Sequence, residues 1–388
     1  MMNTRSERGI RLTVLLMAGA LLASCSKDKD IEPPAELVDF KPSWVVSKAW
    51  TVGMGGGDDV QRLALAPAVE GEQAFLAGPR GDVVSVGLAD GRSRWKADVE
   101  RSLSAGPGVG SGLVVVGSPE GHVFALDIAS GSLRWSARVN GEILAAPAVG
   151  PGRVVVHTVD GRVHALDAAD GALVWTYEQP APRLTLRGSA PPVIEGGQVY
   201  CAFDNGKVAA LVLESGDLLW SATVSAPSGR TEIDRLVDID SAVAVTEGEV
   251  FAVGFQGRAA MIDRESGQLW WARDLSSHRG LALGRESLFV SDSEGAVVAL
   301  SRRDGTERWR QGALRLRRLS PPVVDGEAVV VADFEGYLHW LDAGSGAFLA
   351  RTRGPGARVG NPMRSADGLL LVQDDEGSVA AYRARPRG

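Results

Sequence analysis

The chain repeats one segment of about forty residues, and this repeat limits the possible folds more than any other feature. The segment from Gly121 to Trp135 reads GHVFALDIASGSLRW, and the segment from Gly161 to Trp175 reads GRVHALDAADGALVW. A fixed period of this length indicates one supersecondary unit that is copied around a ring or along a stack.

The repeat occurs eight times. Its first glycine recurs at steps of 40, 40, 45, 51, 38, 41 and 41 residues, at Gly81, Gly121, Gly161, Gly206, Gly257, Gly295, Gly336 and Gly377. Its closing tryptophan recurs in the first six units, as Trp95, Trp135, Trp175, Trp220, Trp271 and Trp309. The seventh unit has Ala350 in this place, and the eighth ends near Tyr382 without one. Trp50 lies 45 residues before Trp95 with no repeat in front of it, so we expect it to complete the eighth unit.

Each unit contains four short apolar or alternating runs separated by Gly and Asp, which is typical of four β-strands joined by tight turns. About forty residues with four strands is the size of a propeller blade. The sequence therefore predicts an all-β fold: an eight-bladed β-propeller over residues 44–388, closed by pairing of the N-terminal strand with the C-terminal blade. We expect each tryptophan to pack between neighbouring blades.

Residues 1–24 have the layout of a secretory signal peptide, with three arginines before the apolar run 12–22. That run is too short to span a bilayer comfortably, and it ends in Leu22-Ala23-Ser24-Cys25, which resembles a bacterial lipobox. The resemblance implies that Cys25 carries lipid and that Ser26 after it directs the protein to the outer membrane. An ordinary cleaved signal with an incidental cysteine is the alternative. Residues 25–43 are charged and contain three prolines, which predicts a flexible tether.

Charge and composition exclude several function classes. The chain has a formal net charge of −7, and three Arg and one Glu in the signal segment leave −9 on the rest, which argues against nucleic acid as the main partner. The five histidines show no metal-ligand spacing. Cys201 is expected to be a small buried hydrophobe on a strand. The repeat aspartates are expected to fix turns; they are Asp127, Asp167, Asp263 and Asp342. We expect no catalytic residue, metal or cofactor.

The two longest steps of the repeat are consecutive, and their extra residues fall in 178–190 and 226–240. Both segments connect the outer strand of one blade to the inner strand of the next, so they are expected side by side on one face. They interleave apolar residues such as Leu184 and Leu236 with arginine and aspartate, which is the composition of a protein-binding patch. The alternative is that the leucines fold back onto the blades.

The repeat Ala-Leu-Asp-x-x-x-Gly-x-x-x-Trp resembles the tryptophan-docking repeat of quinoprotein dehydrogenases, eight-bladed propellers that bind pyrroloquinoline quinone and calcium. This resemblance implies a periplasmic oxidoreductase as one hypothesis. The chain departs from that family because it lacks the adjacent cysteine pair that stacks on the quinone and the long insertions that build the active site.

The segments LTLRG at 184–188 and TEIDRLVDID at 231–240 closely resemble two segments of the BamB family, the lipoprotein propellers of the outer-membrane β-barrel assembly machinery. The resemblance implies a non-catalytic scaffold that binds the periplasmic POTRA domains of BamA. It carries the contacts over to Leu184, Leu186, Arg187, Asp238 and Asp240. Nascent β-barrel strands are a further possible partner by the same analogy, and a propeller hub of another envelope complex is a third hypothesis.

Overall fold

A computed structural model of the chain describes residues 32–55, 64–180, 182, 184–185, 189–227, 230–231 and 236–388. Within these residues all regular secondary structure is β, and no helix is long and apolar enough to cross a bilayer. Residues 35–388 form one compact unit. Of the other unit, residues 1–34, only 32–34 are described, and they have no regular secondary structure.

The strands are short and follow each other closely along the chain. The strands of the N-terminal half are β1 Trp44–Gly53, β2 Ala64–Leu65, β3 Ala68–Glu70, β4 Gln73–Ala77, β5 Asp82–Gly87, β6 Ser93–Asp98, β7 Ala105–Gly110, β8 Leu113–Gly117, β9 His122–Asp127, β10 Leu133–Arg138, β11 Ala148–Gly150, β12 Arg153–His157, β13 Arg162–Asp167, β14 Leu173–Glu178, β15 Val193–Glu195 and β16 Gln198–Ala202. Those of the C-terminal half are β17 Lys207–Val212, β18 Leu218–Thr223, β19 Ala244–Val245, β20 Glu249–Val253, β21 Arg258–Asp263, β22 Leu269–Asp274, β23 Leu281–Leu283, β24 Ser287–Ser291, β25 Val297–Ser301, β26 Glu307–Gln311, β27 Val323–Asp325, β28 Ala328–Ala332, β29 Tyr337–Asp342, β30 Phe348–Arg353, β31 Arg364–Ala366, β32 Leu369–Gln373 and β33 Ser378–Pro386.

Eight antiparallel sheets make eight blades, which confirms the predicted eight-bladed propeller. Blades 1 to 7 are the sequential groups β3–β6, β7–β10, β11–β14, β15–β18, β19–β22, β23–β26 and β27–β30. Blade 8 has the order β1-β33-β32-β31, so the N-terminal strand is its outer strand. The register of that closure runs from Trp44 opposite Pro386 to Gly53 opposite Ser378. Strand β2 was not predicted; it adds a short parallel pairing to β7 of blade 2.

The core lies between the blades, and the repeat tryptophans fill it. Each of the seven tryptophans, including Trp50, donates from Nε1 to a carbonyl of the next blade at 2.8–3.0 Å. The ring lies under the glycine of that blade's turn before the outer strand. At Gly131 the φ angle is +73°, and an added Cβ would lie 2.5 Å from the Trp95 ring. The Asp-x-x-x-Gly spacing therefore exists because an indole occupies the space that a side chain would need.

Blade 7 lacks the outer tryptophan because blade 8 has no turn to receive it. The outer strand of blade 8 comes from the opposite end of the chain, so no turn or glycine joins it to β33. In the other blades the tryptophan lies opposite a residue of the adjacent strand, such as Ala165 opposite Trp175. Blade 7 exchanges the two positions, with Trp340 on β29 opposite Ala350 on β30. The indole is thereby kept but moved one strand inward.

Residues 35–43 differ from the expected flexible tether. From Ala35 onward the chain lies against blades 6 and 7, with the Ala35 amide donating to the Arg315 carbonyl at 3.0 Å. Phe40 stacks on Phe348 with ring centroids 5.2 Å apart. Charge and proline content alone did not reveal these aromatic and backbone contacts.

Candidate protein-binding face

The two long connections lie on the same face of the propeller. We name residues 179–192, between β14 and β15, linker A, and residues 224–243, between β18 and β19, linker B. Both contact one turn of blade 4. Asn205 in that turn donates from Nδ2 to Gln179 Oε1 of linker A at 3.3 Å, and the carbonyl of Gly206 accepts from Val224 N of linker B at 2.9 Å. We call this the linker face, and the end with the Asp-x-x-x-Gly turns the turn face.

Linker A presents an apolar side chain to solvent. Leu184 is 41% exposed, so it does not fold back onto the blade. Leu186 and Arg187, the other two predicted contacts of this linker, lie outside the described residues. At Leu184 the arrangement therefore leaves an apolar side chain available to a binding partner.

The C-terminal half of linker B, in contrast, is packed down onto the propeller. Leu236, Val237 and Ile239 are buried, and the Asp238 carbonyl accepts from Phe255 N in blade 5 at 2.7 Å. For Leu236 the alternative interpretation of the sequence, a leucine folded onto the blade, is thus the one the structure has. This packing fixes the conformation of residues 236–239, because the bond from Phe255 N to Asp238 O ties them to the blade 5 turn.

The predicted aspartates of linker B lie in an acidic junction between the two linkers. The side chain of Asp238 is 1% exposed, whereas Asp240 is half-buried. Asp204, in the turn that contacts both linkers, is 7% exposed. Burial, together with the negative charges of Asp240 and Asp238, raises the pKa of Asp204 to about 8. Asp204 therefore keeps its proton at neutral pH, and its carboxyl group lies close enough to Asp238 and Asp240 for their charges to affect it.

Sequence reasoning missed Asp204 and Asn205, although a signal for them existed. The Asn205-Gly206 pair indicates a turn, and turns between the second and third strands of a blade emerge on the same face as the connections between blades. The rule that placed the two linkers side by side therefore also places this turn between them.

The repeat aspartates are confirmed as turn fixers. Asp127 Oδ1 accepts from the backbone of Ala129 and Ser130 at 3.1 and 2.9 Å. Arg134, Ser130 and the turn backbone together lower the pKa of Asp127 to about 2, with the bond from Arg134 as the largest cause. The same turn bonds recur at Asp167, Asp263 and Asp342. These carboxylates are therefore engaged in holding their own turns.

Cys201 is confirmed as a buried hydrophobe. It is fully buried on β16 within the core between blades 3 and 4, and burial raises the pKa of its thiol. Among the described residues no group of three or more His, Cys, Asp or Glu side chains is arranged to hold a metal ion.

The comparisons with known proteins agree with one another. The family model of the outer membrane protein assembly factor BamB matches residues 79–311 and 293–386. The outer membrane protein assembly factor BamB of Pseudomonas aeruginosa is 46% identical over 374 residues, which cover 96% of this chain and 98% of the relative.

The solved structures extend this similarity to the fold. BamB from Moraxella catarrhalis superposes with a TM-score of 0.79 at 27% identity, covering 87% of this chain and all of the other. Quinohemoprotein alcohol dehydrogenase from Comamonas testosteroni has a TM-score of 0.66 at 12% identity, over 88% of this chain and 78% of that one. At that identity the similarity to the dehydrogenase concerns the fold alone.

Proposed function

Because this chain belongs to the BamB family of outer membrane protein assembly factors, we propose that it acts in outer membrane protein assembly as a non-catalytic scaffold that binds through its linker face. The observation that carries this proposal is the pairing of the two linkers on one turn, at Asn205 and Gly206, with Leu184 exposed beside them. The face joins an apolar side chain to an acidic junction, a combination that suits a specific protein interface.

The partner that fits the family is the POTRA region of BamA. Leu184 and Leu186 would insert into an apolar pocket, and Arg187 and Asp240 would fix the register through charge-assisted hydrogen bonds. Asp238 is buried, and its backbone carbonyl accepts from Phe255 N, so its role is to hold linker B in place. Truncation of Arg187, at the desolvated centre of such an interface, would cost about 2 kcal/mol or more of binding free energy, which raises the dissociation constant about thirtyfold.

The test is capture of purified POTRA domains by the full chain and its variants. We expect Leu184→Asp, Leu186→Asp and Arg187→Ala each to weaken binding, because each removes a contact or buries a charge at the interface. The matched control is Leu133→Asp, at an exposed leucine on the outer strand of blade 2 that is 56% exposed, against 41% for Leu184. Binding that survives all three linker variants, or that falls equally with the control, would overturn the proposal.

The lipobox supports anchoring of the chain to the periplasmic side of the outer membrane through lipid on Cys25. Mass spectrometry of the purified mature protein tests this, with a lipid-modified N-terminal Cys25 as the expected result. A mature N-terminus at another residue, without lipid, would contradict it.

A second candidate function, binding of nascent β-barrel strands, is supported by the outer strands of the propeller. The outer strands of blades 2 to 5 expose large apolar side chains, namely Leu133, Leu173, Val174, Leu218, Leu219 and Trp270. An exposed strand edge beside apolar side chains is suited to strand addition. Photo-crosslinking from Trp270 replaced by a photoreactive residue should capture unfolded barrel proteins in cells, and no capture there would count against this role.

The quinoprotein alternative makes a separate prediction. After reconstitution with pyrroloquinoline quinone and calcium, an oxidoreductase reduces a dye in the presence of an alcohol. The repeat aspartates hold turns, as Asp127 does, which supports the scaffold proposal. Dye reduction that depends on the quinone would refute that proposal.

A further inference from the structure

Residues 35–43, which we call the strap, run along the outer strand of blade 7 from one face of the propeller to the other. At the linker face, the Ala35 amide donates to Arg315 O in the connection between blades 6 and 7 at 3.0 Å. At the turn face, the Ser43 amide donates to Leu349 O at 3.0 Å. The chain then reverses into β1, which rises to the linker face again as the closing strand.

The middle of the strap is held by an aromatic and cationic contact. Phe40 stacks on Phe348, and the guanidinium of Arg351 lies over the Phe40 ring at 5.1 Å from its centroid. The same guanidinium donates from Nη1 to Val38 O at 3.0 Å. The outer strand of blade 7 is thereby partly covered by the chain's own N-terminal segment.

The strap is also bonded to a buried charged network. Arg317, whose side chain is 5% exposed, donates to Asp333 Oδ2 at 2.8 Å and is paired with Glu335. His339 Nε2 contacts the same oxygen of Asp333 at 3.0 Å. Arg317 Nη1 donates to Ala35 O at 2.9 Å. Release of the strap would leave a buried guanidinium short of one acceptor, which is costly. The strap therefore belongs to the folded body.

We propose that the strap, latched by Arg317 and Arg351, makes the N-terminal lipid anchor leave the propeller at the linker face. The proposal rests on lipidation of Cys25, as put forward above. With the strap docked, ten residues, 25–34, connect the lipid to Ala35, a reach of about 33 Å. With the strap released, the free segment is 25–43, and the chain leaves the body at Trp44 on the turn face. The latch thus keeps the partner-binding linkers on the anchored side of the molecule.

The first experiment measures docking of the strap by amide hydrogen exchange on the full chain. In the variant Phe40→Ala with Arg351→Ala, we expect exchange at the Ala35 and Ser43 amides to accelerate about tenfold or more, because their hydrogen bonds open with the strap. The control is Arg308→Ala, which removes an ion pair with Glu286 on blade 6 instead. We call the Phe40→Ala, Arg351→Ala protein the latch variant. If the Ala35 and Ser43 amides exchange at the same rate in the latch variant and in the control, the proposed latch is wrong. Arg317→Ala serves as the more severe second variant.

The second experiment measures orientation. Lipidated protein is bound to phosphatidylethanolamine and phosphatidylglycerol vesicles that contain a headgroup acceptor dye. A donor dye is placed on Gly312→Cys at the linker face, where a new side chain meets no atom within 4 Å, or on Ala129→Cys at the turn face. Cys201 is fully buried and stays unlabelled.

We expect greater energy transfer from position 312 than from position 129, and loss of this difference in the Phe40→Ala, Arg351→Ala variant. Equal transfer from the two positions in the otherwise unaltered protein, or a difference that persists in the latch variant, would overturn the proposal. Protein that fails to float with vesicles refutes the lipid anchor and the orientation built on it. Hydrogen exchange still decides whether the strap is latched, and POTRA capture decides the scaffold proposal separately.

Discussion

The exchange of tryptophan and alanine in blade 7 offers a quantitative test of how the ring is held together. Trp340 is fully buried, and Ala350 opposite it is 2% exposed. Trp340→Ala removes an indole from a closed core and should cost ~3–5 kcal/mol. Ala350→Trp restores the repeat motif yet places a second indole beside the first, so overpacking should cost ~1–3 kcal/mol.

The double variant, Trp340→Ala with Ala350→Trp, tests whether the tryptophan position used in the other blades also stabilises blade 7. It recreates the pair found in the other blades and relieves the crowding, so its cost should be smaller than the sum of the two single costs. It should still be ~1–3 kcal/mol less stable than the natural chain, because Asp325 loses its bond from Trp340 Nε1. That bond measures 3.1 Å, and Ser365 of blade 8 donates to the other oxygen of the same carboxylate at 2.8 Å.

Urea unfolding followed by circular dichroism measures these free energies without relying on tryptophan fluorescence, which the substitutions change. Trp135→Ala provides the reference for loss of an ordinary docking tryptophan. A double variant as stable as the natural chain would refute the reasoning, because the motif would then work without a turn glycine in the next blade. A stabilising Ala350→Trp would refute it more directly.

Three further predictions concern the closing strand, a docking tryptophan and a buried aspartate. Deletion of 44–53 should lower the melting temperature strongly, since blade 8 loses its outer strand and Trp50; an unchanged melting temperature would show that closure is not needed. Trp135→Phe should cost ~1–2 kcal/mol in urea unfolding, because Ala168 O loses its donor, and a neutral effect would contradict that bond. Burial raises the pKa of Asp204 from its ordinary 3.8 to about 8, so the folded chain retains a proton that the unfolded chain releases. Stability therefore declines as pH rises between those values, and Asp204→Asn should remove the decline between about pH 5 and pH 8; equal slopes in both proteins would refute the assignment.

The repeat made the fold predictable because each of its residues has a local geometric task. Gly131 is required where the Trp95 ring lies against the turn, and Asp127 is required where a turn has free amides. The glycine recurs in seven blades and the aspartate in four of them, so the spacing between them is visible in the sequence. The closure by β1 was predictable for the same reason, since Trp50 kept the period without a repeat before it.

The strap and linker B were less predictable because their contacts occur once. The prolines and charges around residues 35–43 indicate a tether, yet Phe40 stacks on Phe348, which is more than three hundred residues away in the sequence. Leu236 lies among charged residues, which suits a surface loop, and it is nevertheless buried. Nothing periodic marks these contacts, and composition cannot distinguish a leucine that packs inward from one that faces a partner, such as Leu184.

The difference between contacts that recur from blade to blade and contacts that occur once also explains why the proposed binding residues of such a propeller lie in the connections between blades. The two middle strands of each blade are largely buried, as β12 and β13 are, and the turn-face aspartates and glycines are committed to turns and docking. Only connections between blades vary in length without disturbing the ring, so specificity can accumulate there. In this chain linkers A and B and the 312–322 connection that holds Ala35 all open on the linker face. A partner bound to the linkers and a membrane holding the anchor would therefore both act on one side of the disc, which makes the strap as relevant to orientation as the linkers are to recognition.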